Sequence, residues 1–263
     1  MTGADPQFIS SAANALVKDL RRLAQESTAY RKQERIWLEG DHLCRAALQR
    51  GVKPSITVVR EAAWQEHAAE FGHVAGKTVI LADALFDALS GLESPARIGF
   101  VLPLPVSPAV QPGTPSIVLD GLQDAGNVGT ILRSAAAFGF SQVLSIKGTA
   151  ALWSPKVLRA GMGAHFALRL VEGVSASDVQ ALAIPLLATS SHRGDLLHEA
   201  RLPWPCAWLM GHEGQGVGAE LTAIATQHVR IAQPGGEESL NVSAAAAICM
   251  HASATAARVH ARG

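Results

Sequence analysis

Residues 116–139, SIVLDGLQDAGNVGTILRSAAAFG, read as strand, loop and helix in immediate succession. SIVLD (116–120) is a short apolar run of the kind that forms a buried strand. A loop with Gly121, Gly126 and Gly129 follows, and a helical pattern runs from about Val128 to Phe138. A glycine-containing loop that leaves a strand and enters a helix lets backbone N–H groups approach a ligand closely. These glycines do not match the GxGxxG dinucleotide fingerprint, which disfavours a nicotinamide enzyme. Downstream, QVLSI, FALRLV, IPLLATS, CAWLMG and HVRIA are further strand candidates, and Val242 to Val259 is an alanine-rich helix. About 150 residues of alternating strand and helix predict one doubly wound α/β domain.

Upstream of this domain, five prolines between Pro103 and Pro115 deny helix and sheet and mark a semi-rigid linker over 105–115. Before the linker, RIWLE, SITVV, KTVIL and RIGFVL alternate with helical DHLCRAALQRG, AAWQEHAAEFG and DALFDAL. That rhythm predicts a small three-layer domain over 34–104 with a mostly parallel sheet. Residues 10–33 read as one polar helix with Ala12, Leu16, Leu20 and Leu23 at helical spacing. Lys18, Arg21, Arg22, Arg31 and Lys32 dominate the surface of this N-terminal extension, residues 1–33. The remainder, 116–263, is expected to form the second domain.

Hydrophobic residues make up 48% of the 263 and charged residues 17%, a globular balance and not a disordered one. No apolar run reaches the roughly 20 residues that span a bilayer. The N-terminus shows no basic start followed by an apolar stretch, so no signal peptide is expected and the expected location is cytoplasmic. Cys44, Cys206 and Cys249 are far apart and form no CxxC pair; three buried thiols are expected rather than disulfides or zinc ligands. Lysine plus arginine and aspartate plus glutamate both total 22. The distribution is uneven: residues 1–60 carry ten basic and six acidic side chains, a balance of +4, which leaves −4 for the rest. Between Ala125 and Val171 lie Arg133, Lys147, Lys156, Arg159 and Arg169 without a single acid. Such a window suits a phosphate backbone, and equally a solvated face.

Three segments carry candidate chemistry. In Asp120–Gly139, Asn127 stands before the helix and Arg133 within it. Asn127 is also a good helix cap, and Arg133 also reads as a snorkelling surface residue. In Trp208–Val217, WLMGHEGQGV, a strand ends in three glycines around Glu213. Such a turn at a strand's carboxyl end is where α/β folds bind ligands, although a plain strand-to-helix turn has the same look. In Val229–Ala247, a Pro-Gly-Gly loop leads through Ser239, Asn241 and Ser243 into the last helix, as caps or as a polar clamp.

The order N-x-G-x-x-x-R-x-A-x-x-F-G, G-x-E-G-x-G, S-L-N-V-S-x-A resembles the SpoU (TrmH-type) family of RNA ribose methyltransferases, within the SPOUT superfamily. RIWLEGDHLCRAAL (Arg35–Leu48) and the segment to Leu104 are similar to that family's N-terminal substrate-binding domain, which resembles RNA-binding ribosomal proteins. The resemblance implies a trefoil-knotted parallel-sheet domain, S-adenosylmethionine as cofactor, and RNA as substrate, ribosomal rather than transfer RNA. It implies no metal, no membrane, and a homodimer with the last helix at the interface. Ala244–Ala247, Ala252, Ala254 and Ala256 suit close helix approach there. Residue by residue, Asn127, Arg133, Glu213, Ser239 and Asn241 match the catalytic motifs, and Gly211, Ile231 and Leu240 match positions where the cofactor lies against the backbone. Departures are Ala125 for a common proline, His212 for a common serine, and Ala232-Gln233 for the usual Pro-Met.

The implied reaction is in-line attack of a ribose 2′-hydroxyl on a sulfonium methyl, which chiefly needs alignment. A guanidinium stays protonated and has no free lone pair, so Arg133 is expected to orient the target phosphate and hydroxyl rather than to act as base. Asn127 is expected to hold Arg133, Ser239 and Asn241 to position substrate, and Glu213 to hold its loop through backbone N–H groups. The alternatives are a transfer RNA ribose target, a base-nitrogen target, and an RNA-binding assembly factor without catalysis. A zinc enzyme using His192, His198 and His212 lacks an acid or cysteine at ligand spacing.

Overall fold

The computed structural model describes residues 5–90, 94, 96–190, 193–236 and 239–260, without the side chains of 259 and 260. The chain divides into two compact units, and the divide falls at Val106–Ser107 inside the proline stretch.

The first unit contains β1 (Gln7–Ile9), α1 (Ala15–Gln25), α2 (Ala29–Gln33), β2 (Arg35–Glu39), α3 (Asp41–Gln49), β3 (Ile56–Arg60), α4 (Trp64–Phe71), β4 (Lys77–Leu81), α5 (Asp83–Leu89) and β5 (Ile98–Pro103). Its sheet runs β1-β4-β3-β5-β2. Two pairings are parallel (β1 with β4, β3 with β4) and two antiparallel (β3 with β5, β2 with β5), so the sheet is mixed and not mostly parallel. Apolar periodicity distinguishes strand from helix but carries no direction, which is why the sign of these pairings was not legible.

The single helix expected over 10–33 is two. Asn14 caps α1 by accepting the Leu16 N–H at 2.9 Å, and the helix ends at Glu26. Glu26, Ser27 and Thr28 offer nothing apolar to bury, and serine and threonine compete for backbone hydrogen bonds outside helices. The buried face is Val17, Leu20, Leu23 and Ala24, while Ala12 precedes the helix. Lys18, Arg21, Arg22, Arg31 and Lys32 are exposed. β1 then adds an edge strand ahead of the helices, hydrogen-bonded to β4.

The second unit contains β6 (Ser116–Asp120), α6 (Ala125–Phe138) and β7 (Gln142–Ile146). The chain next enters α7 (Pro155–Gly161), then β8 (Arg169–Val174), α8 (Ala176–Gln180), β9 (Leu186–Thr189) and β10 (Asp195–Leu196). It closes with β11 (Ala207–Gly211), α9 (Ala219–Ile224), β12 (Gln227–Arg230) and α10 (Val242–His260). Seven strands lie in the order β10-β12-β9-β11-β6-β7-β8, all paired in parallel. A core of Val118, Leu144, Leu186, Ala188, Leu209 and Leu221 fills one face. On α10, Ser253 is buried and accepts the Trp208 indole N–H at 3.0 Å, so the one polar side chain in that face is satisfied. All three cysteines are buried thiols, and burial pushes Cys206 up to about 11 and Cys249 up to about 12.

One segment does not follow the expected 116–263 grouping. Residues 153–166, with α7, pack into the first unit, against β2 and α1. Gly163 (φ +87°) approaches α3 so closely that a Cβ would lie 2.7 Å from that of Ala46. Arg159 Nη1 sits 3.6 Å from Glu39 Oε2, whose side chain is 1% exposed, and Ser90 donates to the other carboxylate oxygen. Removing one partner of a buried pair strands the other charge. Arg159→Leu should therefore destabilise the protein by about 3 kcal/mol, and Glu39→Leu added to it should recover most of that loss. Thermal unfolding of both variants checks this; a double variant no more stable than the single one contradicts it.

This packing also splits the acid-free window. Lys156 and Arg159 belong to the first unit, and Arg159 is committed to Glu39. Arg133, Lys147 and Arg169 are exposed on the second.

Candidate functional site

β6 connects through α6 to its neighbour β7, whereas β11, on the other side of β6, connects through α9 to β12 beyond β9. The carboxyl ends of β6 and β11 therefore flank a topological switch point, where open parallel sheets form a crevice. Two of the three candidate segments leave the sheet there, and the third returns to it.

The first loop is pinned from both sides. Gly121 N–H donates to Thr149 Oγ1 (3.1 Å), whose hydroxyl donates to the Leu119 carbonyl (2.9 Å). Asp120 Oδ2 accepts the Gly218 N–H at 2.7 Å and so ties the end of β6 to the loop after β11. Asp124, not Asn127, caps α6: its Oδ1 accepts the Asn127 N–H at 2.7 Å. The helix starts at Ala125, three residues before the expected Val128.

Relieved of capping, the Asn127 side chain links the three segments. Its Nδ2 donates to Glu213 Oε1 at 3.2 Å, and its Oδ1 accepts from Asn241 Nδ2 at 3.0 Å. Asn241 Oδ1 in turn accepts from Ser243 N (2.9 Å) and Ser243 Oγ (2.6 Å), and so caps α10. The expected contact between Asn127 and Arg133 is not made. Six residues along a helix is about 600°, so the two side chains point roughly 120° apart. Arg133 is exposed on α6 and makes no ion pair among the described residues. Ser239 and Leu240 are exposed just ahead of α10, and Ser239 does not join the network.

The loop 212–216 turns tightly. Gly216 N–H donates to the His212 carbonyl (2.8 Å), and His212 Nδ1 accepts the Gly214 N–H (3.0 Å). The turn folds back on the end of β11, where a Cβ on Gly211 would lie 2.0 Å from Gly216 C and 2.1 Å from Val217 N. Partial burial pulls the Glu213 carboxyl upward. Hydrogen bonds from its own N–H, the Asn127 amide and the N–H groups of Asp124 and Gln123 outweigh that and hold it below the usual carboxylate range. Because the folded value is depressed, this clasp contributes stability above the ordinary carboxylate pKa and loses it as pH falls through the lowered one. Asn127→Ala should raise the Glu213 value and shift loss of the clasp to higher pH, observable by NMR titration of the carboxyl. An unmoved titration would remove Asn127 from the clasp.

A cavity of about 400 Å³ opens beside this turn, lined by residues that include Asp120, Gly121, Gln123, His212 and Gly216. Among the described residues no group of histidine, cysteine and acid side chains could hold a metal. His192 lies outside the described residues, and His212 is engaged with Gly214.

The SpoU rRNA methylase family matches residues 115–251, the span that holds every part of this network. The chain belongs to that family. It is 30% identical to the 23S rRNA (guanosine(2553)-2'-O)-methyltransferase of Bacillus subtilis, over 92% of this chain and 97% of the relative. An uncharacterized tRNA/rRNA methyltransferase of Synechocystis sp. is 32% identical over 94% of this chain and 93% of the relative. A crystal structure of an AdoMet-bound rRNA methyltransferase from Sinorhizobium meliloti superposes with a TM-score of 0.81 at 26% identity, covering 98% of this chain and 99% of that one. Gly211 ends β11, and Ile231 and Leu240 lie in the loop between β12 and α10. Two residues beyond Ile231, the side-chain oxygen of Gln233 is buried and accepts from no donor among the described residues, which leaves it able to take a hydrogen-bonding ligand.

The sequence reading missed Asp120, Asp124 and Thr149. Asp124 had a signal: an aspartate just ahead of a helical pattern is a preferred cap. The partners of Asp120 and Thr149 lie 98 and 28 residues away, at no periodic spacing.

Proposed function

We propose that this protein transfers a methyl group from S-adenosylmethionine to a ribose 2′-hydroxyl of ribosomal RNA. The observation that carries this is the hydrogen-bonded line Asn241–Asn127–Glu213, which gathers the three motifs of the SpoU family at the switch-point crevice. Gly211, Ile231 and Leu240 would border the cofactor. When bound, S-adenosylmethionine supplies a methyl group on a sulfonium, an electrophile strong enough that alignment is the main demand. Arg133, with its donors uncommitted to other side chains, holds the phosphate beside the target ribose and so aims the hydroxyl. Asn127 keeps the Glu213 and Asn241 loops in register, and Ser239 offers a hydroxyl to the substrate from the exposed side.

The same reading extends to the fold. A trefoil knot is supported by three contacts to the C-terminal chain: β10 pairs with β12, Ser190 N–H donates to the Val229 carbonyl and Arg230 Nε to the Gly194 carbonyl. Residues 34–104, with the basic extension 1–33 ahead of them and the linker 105–115 behind, serve as the RNA-binding part. Exposed Ile248 and the neighbouring alanines of α10 suit a homodimer contact. Among the described residues no helix is long and apolar enough to cross a membrane.

Incubation with methyl-labelled cofactor and total RNA, followed by digestion to nucleosides, tests the assignment. Label on ribose in ribosomal RNA is expected. Label on a base, or only in transfer RNA, would overturn the target.

A further inference from the structure

The loop between β12 and α10 contains a buried polar atom that the described residues leave without a partner. Gln233 Oε1 is sealed from solvent, yet no donor among the described residues reaches it. Among the described residues, it is the only such side-chain atom in the second unit; the others all lie in the first. Leaving a buried acceptor unpaired is unfavourable by about 1–3 kcal/mol. Native structures tolerate such atoms chiefly where a ligand or water completes them. Gln233 is two residues beyond Ile231, within the loop that also leads to Leu240.

A glutamine side chain presents an acceptor and a donor side by side. Adenine presents the complement, a donor at its N6 amine next to an acceptor at N7, and glutamine pairs with that edge through two hydrogen bonds. Resting on the cofactor reading above, we propose that Gln233 reads the adenine ring of S-adenosylmethionine. Oε1 accepts from the N6 amine, and Nε2 donates to the adjacent ring nitrogen. Gln233 is thus a specificity residue for the cofactor, and the loop is completed when the adenine is in place.

Calorimetric titration with S-adenosylhomocysteine and with S-inosylhomocysteine, which carries a carbonyl oxygen in place of the amine, tests this without any turnover. The wild type should prefer the adenine compound by about tenfold or more, the discrimination a good bidentate contact provides. Gln233→Leu should lose most of that preference by weakening S-adenosylhomocysteine alone. Gln233→Glu, which keeps the acceptor, should retain part of it. Because the preference is a ratio within one protein, a general loss of stability does not imitate the result. A Gln233→Leu variant that keeps the full preference overturns the proposal and leaves the methyltransferase reading standing. A wild type that binds neither compound overturns both.

Discussion

Arg133→Ala lowers methyl transfer at least about a hundredfold, in line with the loss of one preorganised charge-stabilising donor set at a reacting centre, while affinity for S-adenosylmethionine stays nearly intact. The separation follows from position. Arg133 projects from the exposed side of α6, whereas Gly211, Ile231 and Leu240 lie on the loops after β11 and β12 and before α10. Its helix is anchored by Val128, Ile131, Leu132 and Ala135, all buried, so truncating an exposed side chain leaves the scaffold unchanged. Arg133→Lys keeps the charge but not the planar fork, and should fall between wild type and alanine. Single-turnover assays beside calorimetric cofactor titration decide the matter. Loss of cofactor binding in Arg133→Ala would mean the side chain belongs to a different subsite.

Gly211→Ala should be strongly destabilising for the second unit. The new Cβ would stand 2.0–2.3 Å from Gly216 and Val217, and all three contacts are backbone atoms with no rotamer to yield. Overpacking against rigid neighbours is unfavourable by about 3 kcal/mol, which in a domain of this size lowers Tm by about 6–12 °C. The turn must lift, and with it Glu213 leaves Asn127. Cofactor affinity should collapse together with the Glu213 titration anomaly. A variant that binds cofactor normally and unfolds at the wild-type temperature would show that the turn can relax without cost.

Much of the fold can be read from local pattern. Each of the six apolar runs from SIVLD to HVRIA contains a strand, and the divide between the units at Val106–Ser107 falls inside the proline stretch. The start of α6 was misplaced because Gly126 and Gly129 look like loop residues, while Asp124 supplies a cap strong enough to begin the helix before them. Asn127, Glu213 and Asn241 meet, as their motif order suggested, but the partner assigned to Asn127 was wrong. Its amide bridges loops 86 and 114 residues away, not a neighbour on its own helix. Contacts of that kind depend on strand order, and no periodicity encodes strand order. Gln233 was visible only as a departure from a familiar Pro-Met pair; that its oxygen is buried and unpaired is a three-dimensional fact.

The placement of residues 153–166 sets a schedule for the nascent chain. The N-terminal unit lacks α7 and the Arg159 partner of buried Glu39 until residue 166 has been synthesised, about sixty residues after the rest of that unit. A gene fragment ending at the proline stretch would encode a sheet with one flank bare and a carboxylate without its cation. The first unit is thus finished only when the second is well begun.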